Sequence, residues 1–254
     1  MDSYVFITGA SSGFGEACAS LFAQNGYNLI LAARRIDRLV KLSADLSVKY
    51  GVKIISIELD VRNEIDVKKS IDNLPDHVKS NLTILINNAG LAAGRSSLET
   101  GLTSDWNQMI DTNIKGLLYV SQCIIPIFKQ NGSGHIFNLS SIAGKEVYIN
   151  GNVYCATKHA VDALSKGMRI ELVEFGIKVT NIAPGAAETE FSLVRFKGDK
   201  NTADSIYQGF DPLQAHDIAE TIYFAATRPK HVTLNDIVIM PTAQANSTIL
   251  HKKG

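Results

Sequence analysis

Tyr154 and Lys158 stand four residues apart in a stretch that reads as a helix from about Asn152 to Phe175, closed by Gly176. On a helix that separation stacks the phenol and the ammonium on one face. A free phenol titrates near pH ~10, too high to exchange protons usefully at neutral pH. A neighbouring cation favours the phenolate and is expected to pull that value down, toward the range where general acid–base catalysis is efficient. Ser141 lies upstream, at the end of an apolar run from His135 that reads as a strand. A hydroxyl at a strand end and a tyrosine on the next helix can converge on one carbonyl oxygen. Tyr-x-x-x-Lys also arises by chance in many helices, so its meaning depends on the rest of the chain.

The elements that must position these groups alternate. Apolar strands are expected at Tyr4–Thr8, Asn28–Ala33, Lys53–Leu59, Leu82–Asn87, His135–Ser141, Ile177–Ala183 and Asp236–Met240. Helices are expected between them, including a long helical segment from about Asp105 through Phe128, with an irregular segment from Glu188 to Phe210 and a helix over Asp217–Thr227. Strand and helix in alternation, with no linker or repeat, predict one doubly wound α/β domain of the Rossmann type over residues 1–254. Its sheet would be parallel, about seven strands wide, with helices on both faces. Such sheets bind ligands at the carboxyl ends of their strands, where the strand order reverses.

Bulk properties narrow the function classes. The chain has 254 residues, 45% hydrophobic and 20% charged, with a formal net charge of zero. No electrostatic case exists for nucleic acid or a membrane surface, and no apolar run reaches the ~20 residues of a membrane span. The cysteines Cys18, Cys123 and Cys155 lack metal-ligand spacing and read as free thiols in a reducing compartment, so no metal is expected and a cytoplasmic location is.

Gly9-x-x-x-Gly13-x-Gly15 follows the first strand and opens a helix, the context of a dinucleotide loop. Glycines let backbone approach a pyrophosphate, and the helix N-terminus offers free N–H groups and positive dipole. An NAD site usually places an acid about 20 residues further on, to accept from the ribose 2′-hydroxyl. Here that position reads Ala33-Arg34-Arg35. Two guanidiniums without a carboxylate suit a 2′-phosphate, so NADPH/NADP is the expected cofactor.

Thr8-Gly-x-x-x-Gly-x-Gly15, Asn87-Asn-Ala-Gly90, Asn113, Ser141, Tyr154-x-x-x-Lys158 and Pro184-Gly185, in this order and spacing, resemble the short-chain dehydrogenase/reductase family. The resemblance covers nearly the whole chain. It implies Tyr154 as proton donor in reduction and acceptor in oxidation, and Lys158 as the group that lowers the Tyr154 pKa and binds the nicotinamide ribose. It implies Ser141 as a hydrogen-bond donor to the substrate oxygen, and Asn113 as the anchor of a water linking Lys158 to solvent. Gly9, Ser11, Ser12, Gly13, Phe14 and Gly15 would cradle the cofactor, with Arg34 and Arg35 at its phosphate and Asp60 and Val61 framing the adenine. Asn87, Ala89 and Gly90 would line it, and Pro184, Gly185 and Thr189 would hold its nicotinamide end. The long helices resemble those through which family members form homotetramers. Cys155, beside Tyr154, is expected to be a buried structural thiol.

Residues 186–212 would cap the substrate. The run Thr189-Glu-Phe-Ser-Leu-Val-Arg-Phe-Lys-Gly198, with Met240-Pro241 and Gln244, is similar to a bacterial and fungal NADP-dependent subgroup. Its members act on short 3-hydroxy acids such as 3-hydroxypropionate, serine and allo-threonine, and a near relative reduces sulfoacetaldehyde to isethionate. Both substrate types carry a small anionic tail, for which Arg195 is the natural clamp, with Tyr148 and Gln244 adding neutral hydrogen bonds. Ala186-Ala-Glu188 is a residue shorter than its counterpart in the 3-hydroxy acid enzymes, which favours the sulfonate aldehyde. The alternatives are an NADP-dependent 3-hydroxy acid dehydrogenase (malonate semialdehyde as the aldehyde form) and, from another class, a cofactor-sensing regulatory protein. A nucleotide-sugar epimerase or dehydratase would need a longer chain.

Overall fold

In the computed structural model, which describes residues 2–253, the apolar runs expected as strands become a parallel sheet. The chain begins β1 (Tyr4–Thr8), α1 (Gly13–Gln24), β2 (Asn28–Ala33), α2 (Ile36–Tyr50), β3 (Ile54–Glu58) and α3 (Glu64–Asp72). It continues through the short α4 (Asp76–Lys79), β4 (Leu82–Asn87), α5 (Thr103–Ile110), α6 (Leu117–Asn131), β5 (Gly134–Leu139), α7 (Asn152–Leu172) and β6 (Ile177–Pro184). Last come β7 (Ala187–Glu188), α8 (Glu190–Arg195), α9 (Lys200–Ser205), β8 (Leu213–Gln214), α10 (Ala215–Ala226) and β9 (Asp236–Ile239).

Every residue of β1 and β2 is buried, because helices cover both faces of a parallel sheet. Seven strands pair in the order β3-β2-β1-β4-β5-β6-β9. One core, around Phe22, Leu29 and Ile86, packs α1 and α10 on one face, and another, around Phe6, Leu85 and Phe128, packs α6 and α7 on the other. The order reverses between β1 and β4, which opens a crevice at their carboxyl ends.

The structure departs from the sequence reading in two places that matter for the site. The helix expected from Asp105 through Phe128 is broken by a π-helical turn, Asp111–Gly116, between α5 and α6. Gly116 at its end lies so close to β3's following loop that a Cβ there would come 2.6 Å from Val61. Helical periodicity looks alike through such a bulge, which is why it was not expected. The segment expected to be irregular from Glu188 to Phe210 instead contains α8 and α9. Thr189 Oγ1 accepts from Phe191 N and Asp199 Oδ1 from Thr202 N, so each short helix carries its own cap. β7 and β8 pair in parallel beside them.

Candidate active site

The loop after β1 is shaped by glycine. Gly9 and Gly13 hold φ of 65° and 57°, a region L side chains rarely adopt. At Gly9 a Cβ would meet Ala89 Cα at 3.0 Å, and at Gly15 it would meet Gly9 O at 2.5 Å. The loop is pinned to the end of β4 by Asn88, whose Nδ2 donates to Thr8 O at 2.9 Å and Gly9 O at 3.1 Å. In return, Asn88 N and Ala89 N both donate to Thr8 Oγ1 at 3.0 Å.

A cavity of about 680 Å³ runs from this loop across the carboxyl ends of the strands. Its floor includes Gly9, Ser11, Ser12, Gly13 and Phe14; its rim beyond the ends of β2 and β3 includes Arg34, Arg35, Asp60 and Val61. Ala89 and Gly90 lie mid-way, and Ser141, Tyr154, Lys158, Pro184 and Gly185 stand at the far end with Thr189, Tyr148, Arg195 and Gln244. Three expected site residues lie behind this wall. Gly15 serves the close approach of α1 to the loop. Asn87 turns inward, its Nδ2 donating to Ser121 Oγ at 3.0 Å and Asn138 Oδ1 at 2.9 Å, so Asn88 is the residue that faces the cavity. Asn113 spends its side chain on Leu91, accepting from its N and donating to its O at 2.8 Å each, and on Thr157 Oγ1 at 3.0 Å. It thereby fixes the residue before Lys158.

At the rim, Arg35 Nε and Nη2 donate to Ser11 Oγ and Ser12 Oγ at 3.2 and 2.7 Å, and Nη1 to Glu190 Oε2 at 2.9 Å. Arg34 is exposed; among the described residues its side chain makes no hydrogen bond, and its charge acts on Asp60. Asp60 is held by Arg62, whose Nε reaches its two oxygens at 2.9 and 3.0 Å and keeps the carboxyl below its ordinary range.

At the far end Tyr154 is 8% exposed and sits between three groups. Lys158 Nζ is 5.9 Å and Arg195 Cζ 5.5 Å from its ring centre, and the Phe191 ring packs at 5.7 Å. The expected lowering of the Tyr154 pKa by Lys158 is not what this arrangement produces. Burial pushes the phenol up, reinforced by Tyr148, while Ser141 and Arg195 oppose the rise. Lys158 Nζ instead turns to Leu139 O at 2.7 Å, and burial pulls its own pKa down to about 8. Desolvation is the largest influence on the phenol and outweighs the groups that oppose it. Ser141 Oγ accepts from Ala143 N at 3.1 Å and donates to Pro184 O at 3.4 Å, tying the end of β5 to the end of β6. Cys155 is fully buried, and burial raises its thiol pKa.

Arg195 closes the far end. Its Nη1 donates to Tyr148 Oη at 3.0 Å, its guanidinium lies 5.5 Å from the Tyr148 ring centre, and its Nε is buried with no partner. Gln244 is occupied: its Oε1 accepts from Ala186 N at 2.7 Å and its Nε2 donates to Asn246 O at 3.1 Å, holding the first residue of the cap. The sequence reading did not single out Asn88, Arg38, Arg95, Glu190 or Tyr207. Tyr207 Oη donates to Ala187 O at 2.8 Å and bonds Ser192 Oγ at 2.6 Å, stitching the cap together. Only Asn88 had a local signal, inside Asn87-Asn-Ala-Gly90; the others become site residues through contacts distant in sequence.

Glycines whose missing Cβ lets the loop pack against Asn88 and Ala89, an exposed arginine at one end and an orphaned guanidinium donor at the other fit a dinucleotide with an extra phosphate, with a cationic donor left beyond it. The comparisons agree. The family model described as short chain dehydrogenase matches residues 3–199. The chain is 45% identical over 246 residues to sulfoacetaldehyde reductase 2 of Chromohalobacter salexigens, covering 96% of each. It is 38% identical over 250 residues to the NADP-dependent 3-hydroxy acid dehydrogenase of Schizosaccharomyces pombe, covering 98% of this chain and 96% of that one. The closed form of serine dehydrogenase complexed with NADP+ superposes with a TM-score of 0.92 at 38% identity, over 98% of this chain and 100% of that one. The chain belongs to the short-chain dehydrogenase/reductase family and is one of its NADP-dependent oxidoreductases.

Proposed function

We propose that the protein reduces a short aldehyde with an anionic tail, sulfoacetaldehyde to isethionate being the preferred reaction. The observation that carries this reading is Arg195, whose buried Nε lacks a partner beside Tyr154. A buried cationic donor left unpaired is costly, and an anion within reach relieves that cost. A sulfonate or carboxylate one carbon beyond the carbonyl would accept from Arg195 while its aldehyde oxygen reaches Tyr154 and Ser141.

Gly9, Ser11, Ser12, Gly13 and Phe14 would hold the cofactor's diphosphate half, with Ala89 and Gly90 lining its middle and Asp60 and Val61 at the adenine. Arg34 and Arg35 would read its 2′-phosphate, and Pro184, Gly185 and Thr189 would seat its nicotinamide. When bound, NADPH supplies a hydride to the carbonyl carbon. The chain's own groups do the rest: Ser141 donates to the carbonyl oxygen, and Tyr154 delivers the proton that makes it an alcohol. Burial that raises the Tyr154 pKa suits this direction, because the phenol keeps its proton at neutral pH until an oxyanion develops beside it. Lys158, close to its own midpoint near pH 8, lies beside Gly90 and would bind the ribose and return a proton to Tyr154.

Residues 186–212 would act as the cap, fastened by Gly94 N donating to Arg195 O at 3.0 Å and by the Lys197–Asp105 ion pair at 3.0 Å. α6 and α7 expose Leu118 and Ile170, and Val173 follows them, apolar area that would pack between subunits of a homotetramer. A second reading, an NADP-dependent 3-hydroxy acid dehydrogenase, is favoured by the 38% identical relative of that name, and Arg195 would serve its carboxylate equally well. NADPH oxidation with sulfoacetaldehyde and with malonate semialdehyde, compared by kcat/KM, separates the two. A higher value for sulfoacetaldehyde is expected. A higher value for malonate semialdehyde would transfer the assignment to the second reading, and no turnover of either would end both.

A further inference from the structure

The rim of the cavity holds an anion of the protein's own. Glu190, the first residue of α8, accepts from Arg35 Nη1 on Oε2 at 2.9 Å and from Arg38 Nη1 on Oε1 at 2.7 Å. Arg35's other donors go to Ser11 and Ser12 of the glycine loop, at 3.2 and 2.7 Å. One carboxylate, two guanidiniums and two loop hydroxyls therefore meet at one corner, next to exposed Arg34. A carboxylate spread across two guanidiniums presents its oxygens much as a phosphate does, but with a single charge. A phosphate monoester carries about −1.5 to −2 at neutral pH and a third oxygen, and so competes well for the same donors. Three arginines stand against one carboxylate here, Glu190, because Asp60, the other carboxylate near Arg34, is already held by Arg62, which leaves the corner cationic enough to receive the phosphate.

We propose that Arg38 completes a three-arginine site for the 2′-phosphate of NADPH, and that Glu190 is the internal anion which that phosphate displaces from Arg35 and Arg38. The proposal rests on the reading of Arg34 and Arg35 as phosphate ligands and adds two residues with opposite effects. Glu190 costs affinity for a cofactor bearing the 2′-phosphate and none for one lacking it. Arg38 does the reverse, and its full contribution shows only once Glu190 no longer occupies it.

The test is calorimetric titration of the full chain with 2′,5′-ADP and with 5′-AMP, which differ only in the 2′-phosphate. The side chains of Arg35, Arg38 and Glu190 are 42–50% exposed, so replacing them leaves the core intact. Glu190→Gln is expected to tighten 2′,5′-ADP about three- to tenfold, the scale of exposed ion pairs, and to leave 5′-AMP unchanged. Arg38→Ala is expected to weaken 2′,5′-ADP more in the Glu190→Gln background than in the wild type, a non-additivity that marks a shared contact. Unchanged or weaker 2′,5′-ADP binding in Glu190→Gln, or equal changes for both ligands, overturns the proposal. If Arg34→Ala with Arg35→Ala weakens only 2′,5′-ADP while Glu190→Gln and Arg38→Ala do nothing, the two-arginine reading survives and the proposal falls alone. If none of these replacements separates the two ligands, both fall.

Discussion

Replacing Lys158 by Met tests whether the site carries a measurable folding cost. Lys158 is 6% exposed, donates to Leu139 O at 2.7 Å, and burial alone accounts for the fall of its pKa from 10.5 to about 8. The sign follows from proton counting. Between pH 8 and 10.5 the unfolded chain holds a proton on this lysine that the folded chain has lost, so this lysine's contribution to the stability of the cofactor-free protein rises with pH across that window. Below pH 8 both states are protonated and the full cost of the buried ammonium is present. The gap between the two values corresponds to an upper bound of about 3 kcal/mol. Met keeps a long apolar stem without the charge, and because Leu139 is among the residues lining the cavity, a water is expected to replace the ammonium at its O. Lys158→Met is therefore expected to be more stable than the wild type by up to about 3 kcal/mol below pH 8, with the two curves converging toward pH 10.5. Urea unfolding from pH 6 to 9.5, without cofactor and at fixed salt and protein concentration, reads the difference. Stopping below pH 10 avoids Tyr154, whose raised pKa contributes the opposite slope at higher pH. Parallel profiles, or a variant less stable at pH 7, would refute the reasoning. Gained stability with lost turnover would be the usual trade at an active site.

Three further outcomes are expected. Tyr154→Phe should abolish carbonyl reduction while NADPH binding, followed by its fluorescence, stays within about threefold of the wild type, since only one hydroxyl is removed; comparable turnover in the variant would remove Tyr154 from the mechanism. Arg195→Met should lower kcat/KM for anionic aldehydes by about ten- to hundredfold, the value of a charge-assisted hydrogen bond, and hardly affect neutral aldehydes of similar size. An equal loss for both would make Arg195 a structural residue of the cap. Mass photometry at micromolar concentration should show a tetramer, and a monomer would remove that assembly.

The local features were legible because they rest on short-range periodicity. The apolar run Asn28–Ala33 between turn signals reads as a strand and is buried throughout, Gly9-x-x-x-Gly13-x-Gly15 reads as a turn and takes positive φ at Gly9 and Gly13, and Tyr154 and Lys158 share a helix face by their spacing. The family's motifs supplied the rest of the site list, and all but Gly15, Asn87 and Asn113 line the cavity. The π-helical turn escaped the reading because one inserted residue leaves helical periodicity almost unchanged.

What only the tertiary structure decided concerns groups whose chemistry depends on distant neighbours. Whether Asn87 or Asn88 faces the cavity turns on how β4 ends against β1. That Lys158 turns to Leu139 O, and that burial dominates the Tyr154 pKa, depends on walls built by β5, α7 and α8 together. The meeting of Glu190 with Arg35 and Arg38 joins residues more than 150 positions apart. Spacing in sequence states which residues can share a face of one element. Desolvation and charge pairing depend on what other elements bring to that face, and those are set only when the chain has closed on itself.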